Sequence, residues 1–308
     1  MASLCWACRP EVYRRPNVGM DTLQQLLNQF DHQLVQQHII ELTSPSYEGR
    51  AVGTQGEQQA AAYLIRQLTD WQLEPWTQVG FSSYEHVFTV PETELTGRNI
   101  IAIKRGASNK WLLLVAHYDH LGVKEGQLSP GADDNAVAVA ILLEIARSMA
   151  TCPQPPGHNV AFVFTSGEEM NLSGSRALAQ LLVEQQLTPH ARALNLDMLG
   201  GIGGNSLDVW CEPSRPSGRS FARAARRAIQ AAGVKSKWVQ RRFAAVDSRS
   251  FAEVGVPSIT LSWAYQARYH PHRHRPSDSW EQLQPDLINR VGRALLQVIW
   301  TLANDSNK

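Results

Sequence analysis

Cysteine is scarce in this 308-residue chain: four thiols, at positions 5, 8, 152 and 211. So few, so scattered, exclude a disulfide framework, and Cys152 and Cys211 read as free thiols. Cys5-Trp6-Ala7-Cys8 has CxxC spacing, but no second pair or nearby histidine completes a structural zinc site, so it is assigned to a loose tail. Charge of one sign is lacking too. With 29 basic against 28 acidic residues, no overall field points to nucleic acid or an anionic membrane, which leaves a small substrate as the expected partner. No run approaches the roughly 18 to 20 apolar residues of a membrane span. Repeats and low-complexity segments are absent. Residues 1–19 also lack the apolar stretch and cleavage site of a signal peptide. They are expected to form a disordered tail, with Met20 as one reading of the natural start; the missing signal peptide and membrane span favour a cytoplasmic location. Residues 20–308 are long enough for one α/β domain with a full core.

What is present alternates. Apolar residues at helical spacing (Leu23, Leu26, Leu27, Phe30, Leu34, Ile39, Leu42) predict one or two helices over Asp21 to Leu42, and Thr54 reads as a cap before a helix from Gln58 to Leu68. Strands are expected at Phe88 to Val90, Asn99 to Lys104 and Trp111 to Ala116, the last being a nearly unbroken apolar run suited to burial on both sheet faces. Then follow helix Ala136 to Ala150, strand Asn159 to Phe164, helix Gly174 to Glu184 and strand Ala191 to Leu196. Later segments read as strand Leu207 to Trp210, helix Ser220 to Ala232, a strand at Ser236 to Gln240, helix Ser248 to Val254, strand Ser258 to Ser262 and helix Pro285 to Ala303. This order implies a three-layer α/β/α sandwich around a mostly parallel, mixed sheet.

Polar groups collect where those strands end. His117 and Asp119 follow one apolar strand, Glu168 and Glu169 a second, and Asp197 a third, while Asp133 and Asp134 open a helix and His274 lies in a late polar loop. Crevices in open α/β sheets form beyond the carboxyl ends of the strands, so these groups converge on one edge. Together they suit two zinc ions roughly 3.5 to 4 Å apart, bridged by a carboxylate. Consecutive side chains diverge in extended backbone, so of Glu168 and Glu169 one can hold metal while the other moves a proton. Either Asp133 or Asp134 could cap the helix while its neighbour binds metal. Of His270, His272 and His274, at most one or two need be ligands, and the others are expected to be solvated.

Tyr47-Glu48-Gly49-Arg50 with Gly53-Thr54-Gln55-Gly56, His117-Tyr118-Asp119-His120, Pro130-Gly131-Ala132-Asp133-Asp134-Asn135, Ser166-Gly167-Glu168-Glu169, Asn195-Leu196-Asp197-Met198, and His274 followed by Asp278 form an ordered set. That set closely resembles the co-catalytic zinc aminopeptidases, the group of aminopeptidase Y and the secreted bacterial leucine aminopeptidases, from about Glu48 to the C-terminus. The resemblance implies a zinc-exopeptidase fold and two zinc ions per chain acting on peptides. It implies that Asp134 bridges the metals, that His117 and Asp197 complete one, and that Glu169 and His274 complete the other. Glu168 would be the general base, with Asp119 and Asp278 as carboxylates orienting the two histidines. Two departures stand out: Ala136-Val137-Ala138-Val139 replaces the family's small Ser-Gly step, and Ser248 stands where a histidine often follows the acid. The expected function is therefore an aminopeptidase. A glutaminyl cyclase, a carboxypeptidase and a catalytically inactive peptidase-like binding domain are the alternatives.

Overall fold

The computed structural model describes residues 18–239 and 245–305. Its strands in chain order are β1 (Glu85–Thr89), β2 (Thr96–Lys104), β3 (Trp111–His117), β4 (Val123–Lys124), β5 (Gln127–Leu128), β6 (Asn159–Thr165), β7 (Ala191–Leu196), β8 (Leu207–Trp210) and β9 (Ser258–Trp263). Seven of them form one sheet in the order β1-β2-β6-β3-β7-β9-β8, and β4 pairs only with β5 in a small hairpin. The middle of the sheet, β6-β3-β7-β9, is parallel, while β2, β1 and β8 run antiparallel to their neighbours. The sheet is thus mixed, as expected, with antiparallel strands at both margins.

The helices are α1 (Val18–Gln29), α2 (His32–Leu42), α3 (Gln55–Asp70), α4 (Val137–Ala150), α5 (Ser173–Glu184), α6 (Pro216–Ala231), α7 (Ser248–Glu253) and α8 (Pro285–Ala303). Alternation along each strand divides them into two layers. Leu112, Leu114 and Ala116 of β3 join Phe162 and Phe164 of β6 in a core shared with α1, α2, α3, α4, α6 and α8. Leu113 and Val115 face the other way, onto Leu178 and Leu182 of α5 and Phe251 of α7. Helix α4 is apolar on nearly every side and almost wholly buried, so the Ala136-Val137-Ala138-Val139 departure lies inside the core.

Three expectations need correction. Helix α1 begins at Val18, inside the segment expected to be tail; the rest of that segment, with Cys5 and Cys8, lies outside the described residues. The segment expected as a strand from Ser236 meets β8 only through isolated bridges, Ser206 to Lys235 and Val209 to Trp238, and Gln240 lies outside the described residues. The β4-β5 hairpin was not anticipated, because two-residue strands carry no periodicity to detect.

Arg50 ties these layers to the sheet edge. It is fully buried, and its guanidinium donates to the carbonyls of Leu42 at the end of α2, Tyr118 after β3 (2.7 Å), Pro130 (2.7 Å) and Gly131 (3.0 Å). Burial lowers its pKa to about 10, against the pull of Asp119, Asp278 and Asp134, so it stays charged at neutral pH. Gly131 O keeps the Ala136 amide at 3.1 Å, but Arg50→Met should leave the carbonyls of Leu42, Tyr118 and Pro130 without their donor and lower stability by about 3 kcal/mol or more. Arg50→Lys should recover only part of this, since one ammonium cannot span the same acceptors. Urea unfolding of the two variants checks this, and near-wild-type midpoints for Arg50→Met would refute it.

Candidate metal centre

Register brings the first groups together. His117 is the last residue of β3 and pairs across the sheet with Thr165 of β6, so residues just beyond both strands emerge side by side. After Thr165 the chain turns at Gly167 (φ +73°) into Glu168 and Glu169. The Asp119 carboxylate receives the amides of both, Glu168 N at 3.2 Å and Glu169 N at 3.3 Å. His117 Nδ1 lies 3.2 Å from the Asp119 main-chain oxygen and 3.7 Å from its carboxylate. The expected carboxylate-to-histidine hydrogen bond is therefore a carbonyl-to-histidine contact. It leaves Nε2 facing the acids, while the Asp119 side chain holds the Glu168-Glu169 turn.

The second acidic run is held in the same manner. Gly131 adopts left-handed backbone (φ 62°), and a Cβ there would stand 2.4 Å from Asp134 O and 2.6 Å from the His120 ring, so no other residue fits. Asp278 Oδ1 and Oδ2 accept from Asp133 N (2.8 Å) and Asp134 N (3.1 Å). Asp278 thus fixes the Asp133-Asp134 turn and makes no hydrogen bond to His274, contrary to expectation. Neither acid caps α4. Asp133 accepts from Gly200 N at 2.9 Å and pairs with His270 Nδ1. His270, expected to be solvated, is buried, with Nε2 2.9 Å from Trp263 O. His272 meets Ser277 Oγ at 2.9 Å, away from these acids.

All six residues expected at the centre converge. His117 Nε2 lies 3.3 Å from Asp134 Oδ1 and 3.8 Å from Asp197 Oδ1. His274 Nε2 lies 3.2 Å from Asp134 Oδ2 and 3.1 Å from Glu169 Oε1. Two donor groups result, His117 with Glu168 and Asp197, and His120 with Asp134 and Glu169; within each, one atom per residue lies within 4.8 Å of the others. Glu168 therefore stands within reach of the same point as His117 and Asp197. His120, to which the sequence assigns no role, is buried, 3.1 Å from Glu169 Oε1 through Nδ1. Glu169 Oε1 and both His120 ring nitrogens lack an aligned hydrogen-bond partner among the described residues. Buried polar atoms left so are costly, and a nitrogen- and oxygen-only donor set with unspent lone pairs fits zinc.

Electrostatics separate the two glutamates. Burial raises the pKa of Glu168 well above the usual carboxylate range, Asp197, Asp247 and Asp134 raise it further, and His117 only partly opposes them. Burial would raise Glu169 also, but the imidazoles of His120 and His274 beside it bring it down to about 2. Asp247 is the other group that sequence reasoning passed over. It is buried, accepts from Thr165 Oγ1 at 2.6 Å and is one of the acids whose charge raises Glu168. Its neighbour Ser248, in place of the histidine, bonds Thr260 Oγ1 at 2.7 Å in the core.

Residues 99–299 match the model of peptidase family M28. The chain belongs to that family. It is 25% identical over 221 residues to aminopeptidase YwaD of Bacillus subtilis, covering 70% of this chain and 47% of YwaD. It is 30% identical over 163 residues to a glutaminyl-peptide cyclotransferase of Boiga irregularis, covering 46% of this chain and 44% of that one. The chain thus spans about half the length of these relatives. Among solved structures, the zinc aminopeptidase BSAP of Bacillus subtilis superposes with a TM-score of 0.74 at 16% identity, covering 91% of this chain and 97% of BSAP, which shows the same mixed-sheet fold. Membership rests on a peptidase family model, and zinc is what BSAP, not this chain, is described as carrying. Among the described residues no helix is long and apolar enough to cross a membrane.

Metal uptake should be strongly pH-dependent. The Asp134 and Glu169 carboxylates beside His274 raise its pKa to about 9. Burial would lower that of His117, but Glu168, Asp134 and Asp197 lift it well above its ordinary value. Both imidazoles must shed a proton before donating to metal, so zinc affinity should climb from pH 6 towards pH 9 and binding at pH 7 should release protons. Calorimetry in buffers of different ionisation enthalpy measures that release; proton-neutral uptake would contradict the assignment of these histidines.

Proposed function

We propose that the protein is a two-zinc aminopeptidase in which Asp134 would be the ligand common to both ions, His117 and Asp197 would hold one, and Glu169 and His274 would hold the other. The observation that carries this reading is the placement of Asp134, whose Oδ1 lies 3.3 Å from His117 Nε2 and whose Oδ2 lies 3.2 Å from His274 Nε2. One carboxylate between two histidines is what a shared ligand requires. Zinc, when bound, supplies Lewis acidity that polarises the scissile carbonyl and acidifies water.

The chain's own residues supply the rest. Glu168, with a carboxyl pKa raised by burial and neighbouring acids, takes the proton from the attacking water and passes it to the leaving amine. Asp119 holds the amides of Glu168 and Glu169, which fixes the base relative to the ligand beside it. Asp278 does the same for Asp134 through its amide. Asp119 and Asp278 both have pKa values raised to about 7, chiefly by burial.

A second reading is a glutaminyl cyclase, favoured by the likeness to the Boiga cyclotransferase over nearly half of this chain. Zinc analysis paired with peptides blocked at one end or the other separates the possibilities. About two zinc per chain with release of N-terminal residues supports the proposal. One zinc with ring closure of an N-terminal glutamine supports the cyclase, and cleavage only from a free C-terminus indicates a carboxypeptidase. A folded protein that takes up no zinc would point instead to a binding domain. Glu168→Gln should retain zinc and lower kcat by about 10² to 10⁴, whereas Glu169→Ala should lose metal first. A Glu168→Gln enzyme with undiminished turnover would overturn the mechanism.

A further inference from the structure

Beside the candidate centre opens a cavity of about 530 Å³. It shares Asp197 and His274 with the centre, and its wall also includes Met198, Tyr265, Arg273 and Arg275. In the reading above, Asp197 and His274 are committed to metal. The formal charge remaining on the described wall is then two guanidinium groups. His270, also at the wall, is occupied by Asp133 and Trp263 O.

The two arginines differ in what holds them. Arg273 donates from Nε to Asp134 Oδ2 at 3.0 Å, with its side chain 46% exposed. That oxygen also faces His274 Nε2 at 3.2 Å. A bridging carboxylate oxygen has little left to give a guanidinium, so the metal role of Asp134 and its pair with Arg273 compete. The half-exposed Arg273 head is therefore available to another anion in the cavity. Arg275 is exposed; its main chain bonds His272 O and Asp278 N, while its guanidinium makes no hydrogen bond or ion pair among the described residues. Two planar, permanently charged forks on either side of His274, on the wall of one cavity, suit a carboxylate by charge and donor pattern.

We propose that the preferred substrates carry a carboxylate next to the scissile bond, received by Arg273 and Arg275. The choice of a peptide ligand rests on the peptidase reading above. Two sources share this chemistry: an acidic side chain on the N-terminal residue, and the free terminal carboxylate of a dipeptide.

The test uses the zinc-loaded full chain and two matched pairs, Glu-Ala-amide against Gln-Ala-amide, and Leu-Ala against Leu-Ala-amide. For each, kcat/KM is measured on the wild type and binding is measured by calorimetry on Glu168→Gln. The anionic member of at least one pair should be favoured by about 10- to 100-fold, and the ratio should collapse towards unity in the double variant Arg273→Gln, Arg275→Gln. Preference in the first pair assigns the side chain, and in the second the terminal carboxylate. Ratios near unity in both wild-type pairs, or a ratio that survives the double substitution, overturn the proposal. Cleavage without anionic preference leaves the peptidase reading standing and removes this one. Preferential binding without cleavage does the reverse.

Discussion

Buried negative charge is the condition around which this molecule is arranged. Among the described residues nine carboxylates are buried, Glu57, Asp119, Asp133, Asp134, Glu144, Asp197, Asp208, Asp247 and Asp278, against one buried guanidinium, Arg50, and no buried lysine. Ionised groups withdrawn from water cost several kcal/mol each unless matched. Away from the sheet edge the match is local: Glu144 has Arg147 at 2.7 Å, and Glu57 has the Tyr118 hydroxyl at 2.8 Å. At the edge, protein groups alone do not suffice. Asp119 and Asp278 spend their oxygens on backbone amides, and Asp134, Asp197 and Glu169 face imidazoles. Dications at that edge would relieve what imidazoles and one arginine cannot.

The same condition explains the use of main chain as counter-charge. Each acidic pair sits on a tight turn whose amides point at another carboxylate, Asp119 beneath Glu168-Glu169 and Asp278 beneath Asp133-Asp134. Neither turn can therefore open without releasing the buried acid that it holds. Arg50 links both, through Tyr118 O next to Asp119 and Gly131 O next to the Asp133 turn. The site's rigidity thus comes from residues that need touch no substrate.

Much of this was legible in the sequence because strand ends are local. Unbroken apolar runs marked β3, β6 and β7, and the residues after them met at one edge because parallel strands share a direction. The contacts of Asp119, Asp133, Asp278 and His270 were not legible. Whether a buried carboxylate takes an imidazole or an amide depends on turn geometry a few ångströms across, and spacing does not encode that. Asp247 lies far in sequence from both Asp197 and His274, and reaches Thr165 at the end of β6 only because α7 packs against the sheet. Its signal, an acid beside a serine in place of histidine, was visible without its meaning. His120 could have been flagged by its position one residue after Asp119, but nothing in the sequence aims its ring at Glu169.

The dispersal of the convergent groups has a kinetic consequence. His117, Asp134, Glu169, Asp197 and His274 come from five separate stretches, brought together only when β3, β6 and β7 are side by side and the loop after β9 has closed over them. No two lie on one turn of helix, so a metal ion has nothing to nucleate in the unfolded chain, unlike a zinc finger, whose ligands are near neighbours. An ion held here would be captured after the long-range strand pairing that limits the folding rate. It would act mainly by slowing the escape from the native state, so the holoprotein's persistence, more than its speed of assembly, would depend on metal supply.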